Sequence, residues 1–234
     1  QPELVLFSGT QLGKDLAPRL AQRFGAGCVT DVTVIEQGEN GLEFVRPAYG
    51  GTVLERLAVS GPVQFATVRS GSFTKPEAAE GSVEEKEAPV DADALKAKVV
   101  DAAKEIAEAV DLEGADVIVT GGRGMGDAEN FKLVEELAAL LGGVVGASRP
   151  AIEEGWASRA HQVGQSGKIV APKLYIACGV SGAMQHVSGI MGSKYIVAIN
   201  KDEAASIFDI ADVGIVGDVK EILPLLIEEI KARK

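Results

Sequence analysis

At 234 residues and 46% hydrophobic side chains, the chain is long enough to bury a substantial core as one large or two small domains. Its formal net charge of −11 and aromatic content of 5% argue against a surface for phosphate backbones or stacked bases, so nucleic acid is not an expected partner and any anion site must be local. Cys28 and Cys178 sit in apolar contexts and read as buried thiols of a reducing compartment, two distant histidines cannot build a metal site, and neither a signal peptide nor a membrane-spanning apolar run is visible.

In chain order, the apolar stretch Leu4–Phe7 reads as a strand and is followed by a polar loop, Ser8–Gly13. A helical pattern runs from Lys14 to Phe24, with Leu16, Leu20 and Phe24 at four-residue steps. Strands are expected at Val32–Ile35, Thr52–Val59 and Val63–Val68. The interval Gly71–Val90 gathers Glu77, Glu80, Glu84, Glu85 and Glu87 among small residues and prolines and reads as an acidic, solvated linker. Asp91–Val110 then reads as a linking helix.

The second half alternates. Strands are expected at Asp116–Thr120, Val144–Ala147, Leu174–Cys178, Tyr195–Ile199 and Val213–Val216. Helices are expected at Ala128–Leu141, at Gly182–Ile190 with Ser181 as its N-cap, and at Val219–Lys231. This is the pattern of an α/β protein with a doubly wound parallel sheet over residues 113–234, preceded by a partial α/β domain over residues 1–112.

Five polar, glycine-rich segments follow the expected strands: Thr120–Gly126, Gly146–Pro150, His161–Lys168, Cys178–His186 and Ala198–Asp202. In a parallel sheet the carboxyl ends of the strands line the binding crevice, and glycines there let a ligand approach the backbone. Backbone amides and Arg123 after the first of these strands suit a pyrophosphate. Two familiar nucleotide motifs do not fit. Gly9-Thr-Gln-Leu-Gly13-Lys14 is one residue too short for a P-loop and is followed by Asp15 where a metal-binding hydroxyl is needed. Gly122-Arg-Gly124-Met-Gly126 lacks the third glycine spacing of the dinucleotide fingerprint. On residue chemistry alone a nicotinamide- or nucleotide-dependent enzyme and a non-redox nucleotide-binding scaffold stay open beside a flavin site.

The ordered set Gly-Gly-Arg-Gly, Glu-Asn-Phe-Lys, Gly-Ala-Ser-Arg, Gln-Val-Gly-Gln-Ser-Gly-Lys, Gly-Val-Ser-Gly-Ala-Met-Gln-His and Ala-Ile-Asn-Lys-Asp closely resembles the α subunit of electron transfer flavoproteins. The resemblance covers nearly the whole chain and is strongest from Asp116 onward. It implies non-covalent FAD in the second domain and a function as an electron carrier rather than an enzyme. It also implies a heterodimer with a β subunit, flavin dehydrogenases such as acyl-CoA dehydrogenases as donors, and a quinone reductase or other acceptor. A cytoplasmic or mitochondrial-matrix location would follow. By the same resemblance, Arg123 meets the adenosine-diphosphate part, and Ser148 and Arg149 lie by the flavin ring. Val163, Gly164, Gln165 and Ser166 follow the ring edge, with Ser166 near N5. Ser181, Gly182, Ala183, Met184, Gln185 and His186 wrap the ribityl and phosphate region, His186 approaching O2. Asn200, Asp218 and Val219 hold the adenine side. Arg149, Ser166 and His186 would tune the flavin, with the side chains of Ser166 and His186 pointing into the crevice and not the core. The chain departs from the family pattern in two ways. Serine stands at 166 where threonine is common, and the first domain opens at Gln1, after the point where the family's further strand and helix units begin, so an incomplete first domain is expected.

Overall fold

A computed structural model describes residues 2–74, 76–78, 81–87, 96–97 and 110–233. In the first unit, β1 (Leu4–Ser8) leads into α1 (Gln11–Arg23), whose start is fixed by Thr10: its hydroxyl accepts the Gly13 N–H at 3.2 Å. β2 (Cys28–Val32) follows. Next come β3 (Val34–Gly38), β4 (Gly41–Ala48) and β5 (Val53–Ala58), and then β6 (Gln64–Val68). Strands β1, β6 and β2 form a parallel sheet in that order, while β3, β4 and β5 form an antiparallel meander.

The single strand expected at Val32–Ile35 is not continuous. The chain breaks at Thr33, whose N–H bonds the Val45 carbonyl, and β2 and β3 join different sheets. β4 was not expected at all. Its Glu43 and Arg46 disguise the alternation, yet both are paired across strands, Glu43 with Arg56 and Arg46 with Glu55. Between them Phe44 is fully buried beside Val29, Val32 and Ala66. The described parts of the acidic interval, 71–74, 76–78 and 81–87, hold no strand or helix and are mostly exposed. The linking helix expected at Asp91–Val110 falls almost wholly outside the described residues.

The second unit contains β7 (Val117–Gly121), α2 (Ala128–Leu140), β8 (Val144–Ala147), α3 (Arg149–Glu153), β9 (Leu174–Cys178), α4 (Met184–Val187), β10 (Ile196–Asn200), β11 (Val213–Val216) and α5 (Val219–Arg233). The five strands are all parallel, in the order β8-β7-β9-β10-β11. The five expected strands and both long helices lie within about two residues of those seen, an ordinary margin for element ends. Strand alternation sends Val119, Ile176, Cys178 and Ile199 to a core shared with Phe131, Leu137, Leu223 and Ile227 of α2 and α5. The opposite face, with Ile118, Tyr175, Ala177 and Ala198, is covered by Val163, Val170, Val180 and Ile190, which lie outside the strands and helices, and by Ile207 of a 3-10 turn at Ser206–Asp209.

The strand order reverses between β7 and β9, which send their connections to opposite sides of the sheet, and this leaves a crevice at their carboxyl ends. The two loops leaving these strands are hydrogen-bonded backbone to backbone: Gly122 N–H to the Cys178 carbonyl at 2.8 Å, and Gly124 N–H to the Gly179 carbonyl at 2.9 Å. A Cβ on Gly124 would stand 2.7 Å from both the Cα and the carbonyl oxygen of Gly179, main-chain atoms that cannot swing aside. Gly124→Ala should therefore lower stability by roughly 1–3 kcal/mol, the usual cost of overpacking, read as an earlier midpoint in urea unfolding. An unchanged midpoint would show that the two loops separate freely.

Candidate functional site

At this reversal lies a cleft of about 930 Å³, toward the upper end of the range for small-molecule and cofactor sites. Four walls are loops leaving strands, and the third lies within the long connection from β8 to β9. After β7, Arg123 and Gly124 form a tight turn, and Arg123 is exposed with no ion pair among the described residues. After β8, Ser148, Arg149 and Pro150 open α3. Ser148 takes the N-cap position but makes no capping bond, and its Oγ is buried without a partner. Arg149 lies on the rim, its Nε 2.8 Å from Glu153 Oε1, an exposed pair that constrains the guanidinium only weakly.

The third wall is Val163, Gly164, Gln165 and Ser166. Gly164 has φ +134°, and a Cβ there would sit 2.9 Å from the Gln185 carbonyl, so only glycine fits without strain. The Gln165 N–H bonds that same carbonyl at 2.7 Å and ties the third wall to the fourth. Ser166 Oγ accepts from Gln162 Nε2 at 2.8 Å, which leaves its own proton to donate.

The fourth wall contains Gly179, Val180, Ser181, Ala183, Gln185 and His186. Ser181 is not an N-cap: α4 begins only at Met184, after Ala183, because the Ser181 carbonyl is engaged by the Ile207 N–H. The N–H groups of Ser181, Gly182 and Ala183 have no acceptor among the described residues. The fifth wall holds Asn200, Asp202, Ala204, Ala205 and Ser206. Asn200 spends its amide on the protein, donating to the Val180 carbonyl at 2.8 Å and accepting the Asp202 N–H at 3.0 Å.

Four residues expected at the site are not on its walls. Gly182 is buried against the backbone of Ile207, and Met184 points outward, 53% exposed. Asp218 turns to the start of α5, accepting the Lys220 N–H, and Val219 is packed in the core. Gly124, Pro150, Gly179, Val180, Asp202 and the stretch Ala204–Ser206 line the cleft without having been assigned to it. Asp202 belongs to a strand-end segment already noted, but Ala204–Ser206 carries no distinctive residue type and only its place after β10 marks it.

His186 forms part of the floor. It is buried, 7% exposed, and its Nε2 lies 2.9 Å from the hydroxyl of Tyr175, a core residue of β9. The expectation of a side chain directed to the crevice and away from the core is therefore corrected: one side of the ring meets the cleft and one nitrogen is held by the core. Burial pushes the His186 pKa down to about 4, against a weaker opposing pull from the Val163 backbone, so the ring is neutral at pH 7. Burial also raises the Tyr175 hydroxyl, and pushes the Cys178 thiol up to about 12, which makes that thiol unreactive. An orphan hydroxyl at Ser148, the free N–H groups of Ser181 and Ala183, the Ser166 proton and two arginines make the cleft rich in donors. That chemistry suits a phosphate-bearing ligand with ring carbonyls.

Residues 1–93 match the family model described as electron transfer flavoprotein domain, and residues 111–191 match that described as electron transfer flavoprotein FAD-binding domain. The electron transfer flavoprotein subunit alpha of Thermoanaerobacterium thermosaccharolyticum is 46% identical over 239 residues, covering 100% of this chain and 72% of that protein. That of Bacillus subtilis is 45% identical, covering 98% and 71%. The mitochondrial protein of that name from Arabidopsis thaliana is 42% identical, covering 98% and 65%. A solved structure of a thiamin diphosphate-dependent enzyme from Mycobacterium smegmatis aligns at 19% identity and a TM-score of 0.31, too slight a likeness to bear on this chain.

The depressed pKa of His186 makes a linkage prediction. The unfolded ring binds its proton near pH 6.5 and the folded ring only near 4. Between these values the unfolded state holds more protons, so stability is present above pH 6.5 and is lost as pH falls toward 4. The shift corresponds to about 3 kcal/mol at roughly 1.4 kcal/mol per unit. Urea unfolding followed from pH 7.5 to 4 should show this decline, and His186→Gln should show a shallower one. Equal slopes would place the ring in water.

Proposed function

This chain belongs to the electron transfer flavoprotein α-subunit family and carries electrons on a bound FAD, and we propose that the cleft at the β7/β9 reversal is where that FAD is held. The observation that carries the proposal is the donor-rich cleft itself. All of its lining residues fall between positions 123 and 206, within the second unit. Bound FAD supplies reversible one- or two-electron chemistry, and the protein's part is to bind it, orient it and set its potential. Arg123 and the N–H groups of Ser181 and Ala183 are suited to the pyrophosphate, because positive charge and unpaired donors converge there. Ser148, Arg149, Gln165 and Ser166 are suited to the ring edge. Asn200 acts on the cofactor through the Val180 backbone that it holds. Gly182, Met184, Asp218 and Val219 are assigned no direct contact.

We further propose that the FAD-binding domain begins slightly before residue 113, because Leu112 is 1% exposed in the core of the second unit and Val110 packs against it. The protein is read as a carrier that breaks no substrate bond. Its proposed partners are a β subunit, flavin dehydrogenases such as acyl-CoA dehydrogenases, and a quinone reductase or other acceptor. The relatives named above support the first of these by name. A cytoplasmic or mitochondrial-matrix location is proposed from two free thiols and from relatives that include a mitochondrial one. Among the described residues no helix is long and apolar enough to cross a membrane. The reading as a nicotinamide- or nucleotide-dependent enzyme is not favoured by any relative named above.

Titration of the purified chain with FAD, followed by flavin absorbance and fluorescence, should saturate at one equivalent. Arg149→Ala should keep FAD while lowering the flavin midpoint potential, an effect of roughly 1–2 kcal/mol for a partly exposed charged contact. A protein that stays colourless with FAD sinks the site, whereas an unchanged potential in a yellow Arg149→Ala variant removes only the role of that arginine.

A further inference from the structure

Beneath the exposed loops lies a buried polar pair. Tyr175 is fully buried on β9, at the centre of the sheet, and its hydroxyl is 2.9 Å from His186 Nε2. A hydroxyl in such a place must give its proton to an acceptor. Two are near, His186 Nε2 and the hydroxyl of Thr120, which is close enough to act on Tyr175. Thr120 Oγ1, however, is buried with no partner at hydrogen-bond geometry. Suppose Nε2 carried the ring proton and donated it to Tyr175. The tyrosine proton would then have no well-placed acceptor, a penalty of about 1–3 kcal/mol for a buried donor. If Tyr175 donates instead, its hydroxyl and Nε2 are both satisfied. The ring proton then resides on Nδ1.

We propose that Tyr175 is a positioning residue that fixes His186 as its Nδ1–H tautomer, one defined ring donor instead of an interchanging pair. The backbone around the ring is fixed by bonds from the His186 and Val187 N–H groups to the Ala183 carbonyl and from the Gly189 N–H to the His186 carbonyl, which limit its freedom to turn away from Tyr175. Among the described residues no ion pair involves His186; its ring meets the Tyr175 hydroxyl on one side, and the Val163 backbone also acts on it. The consequence for the cofactor rests on the reading of the cleft as the FAD site. The tautomer itself is a property of the chain.

The test is imidazole nitrogen NMR on the full chain labelled with ring-15N histidine. The chain has two histidines, so the His186 signals are identified by their loss in His186→Gln. In the FAD-free protein at pH 7, Nδ1 should appear protonated and Nε2 unprotonated. Tyr175→Phe, which removes one oxygen and keeps the ring volume, should convert this to a mixture or to the Nε2–H form. Thr120→Val, a control for general disturbance of the buried pocket, should leave the tautomer as it is. In the FAD-loaded protein Tyr175→Phe should shift the flavin potential without loss of bound FAD. A parent already in the Nε2–H form overturns the proposal even if Tyr175→Phe fails to fold, and so does a Tyr175→Phe protein with parental nitrogen shifts. Should FAD fail to bind while the Nδ1–H signature is present, the site assignment falls and the tautomer assignment stands.

Discussion

The structure depends on the contact of two bare backbones where β7 and β9 diverge. Parallel strands end at the same edge, so their loops would collide or splay at the point where the strand order turns back. Here the Gly122–Gly124 turn and Gly179 press main chain on main chain, with two hydrogen bonds and no side chain between them. That close approach keeps the first and fourth walls of the cleft together, so Arg123 on one loop and the free N–H groups of Ser181 and Ala183 on the other share one space. The third wall is tied in by the same device, since Gly164 and Gly189 leave room for the Gln165–Gln185 backbone bond. The site is thus a set of main-chain contacts that bring a few side chains to bear.

Electrostatics explain why the surroundings look wrong for an anion ligand and the cleft does not. A net charge of −11 spread over the surface is screened within about 8–10 Å in physiological salt. Inside a partly desolvated cleft, Arg123, Arg149 and oriented N–H groups act over shorter distances and through a lower dielectric. Asp202 is the one carboxylate on the walls, and its Oδ1 is taken up by the Ala204 N–H. Below this donor-rich layer, Tyr175, His186 and Cys178 are held neutral by burial. The floor therefore adds direction to the site without adding charge.

The second unit was legible in the sequence because its inner strands are buried on both faces and read as unbroken apolar runs between glycine loops. Val117–Gly121 and Leu174–Cys178 are examples. The first unit was less legible. β4 hides Phe44 between Glu43 and Arg46, and only the cross-strand partners Arg56 and Glu55 show why those charges suit a strand. At the cleft, two residues that the sequence places just after strands are drawn off by contacts elsewhere in the fold. Gly182 reads like a ligand-approach glycine but is needed for the backbone of Ile207. Asp218 reads like a polar strand-end ligand but is consumed as a helix-start acceptor. His186 was expected to point into the crevice and not the core, and no local pattern reveals its partner eleven residues earlier on the sheet.

The first unit is not independent of the cleft. Its turn at Tyr49–Gly51 reaches the segment that carries His186: a Cβ on Gly51 would stand 2.9 Å from Met191 Sδ, and one on Gly50 would meet Met184 at 4.0 Å. Gly71 approaches Ala171 in the same way, next to Val170, whose N–H bonds the Gly189 carbonyl. Both contacts bear on the chain between residues 170 and 191, which supplies the fourth wall and the floor. Met184 and Met191 are themselves 53% and 49% exposed, so this junction is a surface seam and not a packed core.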